Sequence, residues 1–179
     1  MLKIGSRKDF GVLLHTMGYE RGAEVGVQLG HFSATIREHW GGELHLVDSW
    51  TMIPEFPGLS IAGQMINYTK VVVRFLEDYS VHIHRMPSEQ AAAMFQDGFF
   101  DWVYLDADHR PASFRKELRL WLPKVREGGL MAGHDYVDNK TCVGEVGVRT
   151  AVDQLVAARG YELHVAGDDG WPSWYFLKQ

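Results

Sequence analysis

A chain of 179 residues, 46% hydrophobic and 23% charged, has the length and composition of one soluble globular domain with a full core. Its 18 basic against 23 acidic residues leave a net charge of −5, and no lysine–arginine block occurs, which argues against nucleic acid as a partner. No apolar run approaches a membrane span, no signal-peptide pattern follows Met1, and the single cysteine, Cys142, offers no internal disulfide; the expectation is a cytoplasmic protein.

Strand-like and helix-like stretches alternate from end to end, the pattern of a parallel sheet with crossover helices. Phe10, Leu13, Leu14 and Met17 share one helical face. Gly22 to Gly26 reads as a first strand, followed by a helix from about Phe32 to Trp40 capped by Ser33 or the residues just before it. Glu43 to Val47 is the second strand. The stretch Trp50 to Ser60, with Pro54, Pro57 and Gly58, reads as a long lid or binding loop exposing Trp50, Ile53 and Phe56. Val72, Phe75 and Leu76 carry a helix, and Val81 to Arg85 is the third strand. His82 and His84 share one of its faces; with no third ligand beside them they read as a buried or edge feature.

A helix carried by Ala91, Ala92 and Phe95 leads to two short apolar runs. Phe100 to Leu105 ends in Asp106, Asp108 and His109, and Gly128 to Gly133 ends in His134 and Asp135. A helix on Phe114, Leu118 and Trp121 joins them. After a helix on Val148, Val152 and Leu155, the segments Tyr161 to Val165 and Trp174 to Leu177 read as closing strands joined by the turn Gly167 to Gly170. Trp171, Trp174 and Tyr175 read as sheet packing.

If the two apolar runs are neighbours, about 4.8 Å apart, their acidic and imidazole side chains gather at one sheet edge. That edge is where open α/β sheets bind ligands. Gly26 and Gly30, four apart at the exit of the first strand, permit a sharp turn with bare backbone against a ligand. The Gly-x-Gly-x-x-Gly pattern is missing, which disfavours a pyrophosphate cradle. Asp48, about twenty residues on, is placed to accept hydrogen bonds from ribose hydroxyls. Glu24 lies inside the first strand, an expensive place for a charge unless it meets donors. Together these favour a nucleoside ligand. His109, before Arg110-Pro111, is either a general base or an organiser of the next helix, and Asp108 either caps or braces that turn.

Glu24-Val25-Gly26 with Gly30 resembles the first motif of class I S-adenosylmethionine-dependent methyltransferases. The segment from Arg85 to Ala92 is similar to the one bordering the adenine in that family. The runs from Asp101 to His109, Leu122 to Gly129 and Gly133 to Tyr136 resemble the bacterial small-molecule and sugar O-methyltransferase group. The likeness extends from about residue 20 to residue 179. It implies a single α/β domain over 1–179, a Rossmann-like doubly wound sheet of about seven strands, mostly parallel with an antiparallel last strand. It implies S-adenosylmethionine held by Glu24, Gly26, Gly30, Asp48, Ser88 and Asp106, with Asp106, His109 and His134 as catalytic residues. It further implies a divalent metal, magnesium or manganese, on Asp106, His134 and Asp135. His134 stands where an acidic residue is more usual, and imidazole also suits manganese, iron or zinc.

The implied reaction is methyl transfer to a hydroxyl of a small molecule, such as a sugar or natural-product intermediate. A metal would lower the hydroxyl pKa; without one, His109 or His134 would act as general base. Little sequence precedes the first strand, so substrate choice would fall to Trp50 to Ser60, to the segment after Asp135, or to a neighbouring subunit of a homo-oligomer. Two rival readings are a metal-dependent hydrolase using the acidic and imidazole cluster, and a catalytically silent nucleoside-binding subunit.

Overall fold

Five apolar runs become five parallel strands: β1 (Arg21–Val25), β2 (Glu43–Asp48), β3 (Val81–Arg85), β4 (Phe100–Leu105) and β5 (Val125–Gly133). The structure, a computed structural model, describes residues 3–52, 60–141, 144–167 and 171–179. A two-stranded hairpin of β6 (Asp138–Thr141) and β7 (Gly144–Gly147) stands apart from the main sheet, and nothing in the sequence pattern announced it. β8 (His164–Ala166) and β9 (Ser173–Leu177) complete a seven-stranded sheet of order β3-β2-β1-β4-β5-β9-β8, in which β9 runs antiparallel to both neighbours. This is the Rossmann-like sheet the resemblance implies. The order reverses between β1 and β4, and the crevice at such a switch point is the standard ligand position in open α/β sheets.

Helices cover both faces. α1 (Phe10–Thr16), α2 (His31–Arg37) and α3 (Ile61–Arg74) bury Phe10, Leu13, Leu14, Phe32, Ile36 and Val71 on one side. On the other side, α4 (Ser88–Met94), α5 (Pro111–Trp121) and α6 (Val148–Arg159) bury Ala91, Phe114, Trp121 and Val152. The period of two along β4 divides its side chains: Val103 and Leu105 enter the second core, Trp102 and Tyr104 the first. No helix among the described residues is long and apolar enough to cross a membrane.

Of the two alternatives for the start of α2, the residues just before Ser33 hold it: Gly30, left-handed at φ 68°, precedes the helix, and Ser33 lies inside it with its hydroxyl turned to Glu24. Several local expectations are corrected. α3 begins at Ile61 and ends before Phe75 and Leu76. Trp50 is not exposed: it is 1% accessible, its indole donates to the Gln28 carbonyl at 2.9 Å, and its ring lies 5.1 Å from Tyr68. Ile53 and Phe56, with the rest of the proposed lid from 53 to 59, lie outside the described residues, as do residues 168–170 of the last turn. Trp174 and Tyr175 are core, whereas Trp171 is exposed.

Candidate active site

The carboxyl ends of β1, β2 and β5 each carry a residue in the left-handed region: Gln28 (φ 51°), Trp50 (φ 41°) and Asp135 (φ 54°). Among the described residues these are the non-glycine positions with positive φ. Such strain persists where surroundings over-determine it, and it gathers at functional sites. Asp48 supplies the first clamp: one oxygen accepts from the amides of Val27 and Gln28, both at 2.9 Å, and the other from Trp50 at 2.8 Å. A carboxylate has about four lone-pair sites, so Asp48 keeps room for a ligand hydroxyl while pinning two turns.

Gly26 (φ 92°) passes so close to the end of β4 that a Cβ there would stand 2.2 Å from the Asp106 carbonyl oxygen. Only glycine permits this approach, which brings the β1 turn and Asp106 together across the switch point. Beneath the turn Glu24 is 1% accessible and accepts a hydrogen bond from Ser33. Burial pushes its carboxyl up to about 8, against the lowering effect of that bond.

The fourth and fifth strands deliver the cluster the sequence placed there. Asp135 Oδ2 lies 3.0 Å from His109 Nδ1, and its Oδ1 lies 2.7 Å from His134 Nδ1. Asp106 Oδ1 stands 3.6 Å from His109 Nε2 and 3.7 Å from His134 Nδ1. Burial acts to raise Asp135, yet hydrogen bonds from His109 and His134 hold it far below the usual carboxylate range. Asp106 moves up to about 6 because burial outweighs the nearby imidazoles and Arg7. Burial acts to lower His109, but the bond and charge of Asp135, with Asp106 behind it, raise it net. His109 Nε2 is buried without a hydrogen-bond partner.

The Ser88 hydroxyl accepts from Trp121 Nε1 at 2.9 Å and ties α4 to α5. Asp108 braces the loop through the Arg110 amide and guanidinium, rather than capping α5. The divalent-metal set is also brought together, but paired with itself. Ligand atoms sharing an ion at about 2.1 Å stand about 3 Å or more apart, whereas His134 and Asp135 are at hydrogen-bond distance and His109 takes the other Asp135 oxygen. As arranged, Asp106, His134 and Asp135 do not bring three donor atoms within 4.8 Å of one another, so in this arrangement they form no shared coordination shell.

Arg7 is a site residue the sequence reading missed. Its guanidinium lies 3.7 Å from Asp106 and stacks 4.4 Å over the Phe32 ring, in front of the sheet edge. A lone arginine ahead of the first helix carries no signal of this. Ser33 and Gln28 were likewise invisible as partners, since each acts through residues on other elements.

Residues 20–136 match the family model of the methyltransferase domain. The chain belongs to the class I S-adenosylmethionine-dependent methyltransferases. Solved structures similar to this methyltransferase include a candidate caffeoyl-CoA O-methyltransferase from Staphylococcus aureus, at TM-score 0.71 and 12% identity, with 99% of this chain and 85% of that one covered. An O-methyltransferase from Bacillus cereus in complex with S-adenosylhomocysteine aligns at TM-score 0.67 and 14% identity, covering 96% and 80%. An N-methyltransferase from Bradyrhizobium japonicum aligns at 0.64 and 13%, covering 96% and 95%. At such identities the likeness is one of fold. No curated protein matches the sequence.

Proposed function

We propose that this methyltransferase acts on a hydroxyl of a small molecule, with S-adenosylmethionine as methyl donor and His109 as general base. The observation that carries the reading is His109 itself. Its Nδ1 is oriented by Asp135, as in a base–orienter pair, while its Nε2, 3.6 Å from Asp106, makes no hydrogen bond. A hydroxyl of the acceptor would satisfy that nitrogen and give it a proton. When bound, the donor supplies a methyl group on a positively charged sulfur, open to in-line attack by oxygen. Gly26 admits it against the backbone, Gly30 sharpens the turn, and the remaining capacity of Asp48 suits the ribose hydroxyls.

Asp106, with Arg7 and the two imidazoles around it, would balance the positive charge of the donor from the end of β4. Its raised pKa keeps it partly protonated near neutrality, so it exchanges a proton readily with its neighbours. His134 steadies Asp135 from the side opposite His109. The support for oxygen over nitrogen as acceptor is the presence of a base, since a neutral hydroxyl is a weak nucleophile and an amine is not.

The test is calorimetry against S-adenosylmethionine and S-adenosylhomocysteine, followed by turnover on a panel of sugars and phenols with and without chelator. Binding of both nucleosides, and turnover that survives chelator, are expected. Turnover lost in chelator and restored by magnesium or manganese would place an ion on Asp106, His134 and Asp135 and displace His109 as base. Release of a hydrolysis product without methyl transfer would favour the hydrolase reading. Nucleoside binding with no turnover on any acceptor would favour the silent subunit.

A further inference from the structure

A second group of imidazoles meets a carboxylate on β2 and β3. Parallel pairing sets His45 beside His82 and Val47 beside His84, so Glu43, His45, His82 and His84 lie on one face of the sheet. His45 Nε2 is 3.1 Å from Glu43 Oε1, and His82 Nε2 is 3.4 Å from the same oxygen. Donor atoms of these three residues fall within 4.8 Å of one another, the one such set among the described residues. Nitrogen and oxygen ligands at about 2.0–2.1 Å from a tetrahedral ion stand about 3.3 Å apart, so the spacing already approximates a shared coordination shell.

The outer contacts orient the ligands. His45 Nδ1 lies 2.9 Å from His84 Nε2, and donating a proton there leaves the Nε2 lone pair turned toward Glu43 and His82. Arg21 Nε donates to Glu43 Oε2 at 2.8 Å, which fixes the carboxylate and leaves Oε1 facing the imidazoles. Such contacts to the far side of a ligand are characteristic of metal sites. His45 is buried edge-on against the rings of Phe95, Phe99 and Phe100, 5.2 to 5.8 Å away, while His82 is exposed.

We propose that Glu43, His45 and His82 bind one divalent transition ion of the zinc type, with His84 and Arg21 orienting the ligands and a fourth position open to water. Two imidazoles and one carboxylate select such an ion over magnesium or calcium. The ion joins β3, the outermost strand, to β2 and secures the edge of the sheet. Glu43 opens β2 and Asp48 ends it, so the site lies toward the end of the strand opposite the methyl-transfer edge, about 16 Å along the backbone from one residue to the other.

Protein free of any histidine tag, stripped with chelator and dialysed, is titrated with zinc alone and followed by calorimetry, metal analysis and thermal unfolding. One equivalent should bind. His82→Ala, at an exposed position, and Glu43→Gln should each weaken binding about a hundredfold or more, and His84→Phe about tenfold. The Tm should climb with zinc concentration in the parent protein and stay level in His82→Ala. Absence of stoichiometric binding overturns the proposal. So does zinc binding that folded His82→Ala and Glu43→Gln retain, or that the Asp106→Asn, Asp135→Asn double variant abolishes.

Discussion

At the ends of β4 and β5 two carboxylates face two imidazoles, whereas on β2 and β3 one carboxylate faces three. The first arrangement pairs its charges: Asp135 accepts from both imidazoles, and His109 is raised despite the burial that opposes it. The second leaves its buried imidazole neutral. Burial, with the neighbouring His84 and His82 adding to it, pushes His45 down to about 4 against the pull of Glu43. Identical residue types thus become a proton-handling cluster in one place and a ligand-like cluster around a neutral buried imidazole in the other. The ratio of carboxylate to imidazole decides it, together with which strand ends the fold brings together.

The largest expected effect separates the two clusters by chemistry. His109→Gln should lower kcat about 10²–10⁴-fold with little change in the Kd for S-adenosylmethionine, and in the parent protein the rate should rise with pH as His109 loses its proton above the usual histidine value. Steady-state kinetics with calorimetry decides this. A loss confined to nucleoside binding would end the distinction drawn for the ligand edge.

Next comes the buried carboxyl beneath that edge. The folded pKa of Glu24, about 8, lies above its ordinary 4.5, so its protonated form favours the fold. The contribution is fully present below pH 4.5 and is lost as pH rises toward 8. Stability from this group should fall by about 4–5 kcal/mol between those limits. Urea midpoints at pH 5 and pH 8.5 should differ less in Glu24→Gln than in the parent; an equal difference would mean that Ser33 and its surroundings keep the carboxylate charged.

Asp48→Ala removes three amide contacts at once and should destabilise the protein by about 2 kcal/mol while weakening nucleoside binding about tenfold or more. Denaturant unfolding beside calorimetry reads both. A change in stability alone would make Asp48 a clamp for the β1 and β2 turns and nothing more.

The smallest effect concerns Arg7, partly exposed between Asp106 and Phe32. Arg7→Ala should reduce stability by only about 0.5–1 kcal/mol. The pH profile of turnover should nevertheless shift upward, since Arg7 lowers Asp106 and its loss leaves that carboxyl higher. An unmoved profile would detach Arg7 from the proton-handling cluster.

Much of this was legible in the chain itself. Short apolar runs alternating with amphipathic stretches dictate a parallel sheet, because each run must be buried on both faces and each helix on one. The abrupt change from Leu105 to Asp106 and from Gly133 to His134 marked the ligand edge, since polar groups there can only lie where strands leave the core. Gly26 and Asp48 were readable for the same reason. What the sequence determined is therefore which residues stand at strand ends.

Which atoms face which was decided only in three dimensions. Asp135 bridging His109 and His134, Asp48 clamping Gln28 and Trp50, and Arg7 reaching Asp106 all depend on turns whose φ values no local pattern announces. The pairing of His45 with His82 depends on the register of two strands almost forty residues apart in sequence. A pattern of period two assigns each histidine a face but cannot supply its neighbour. Periodicity is a local property and survives in the one-dimensional chain, whereas hydrogen-bond direction, burial and charge coupling arise from contacts between elements and exist only in the folded molecule.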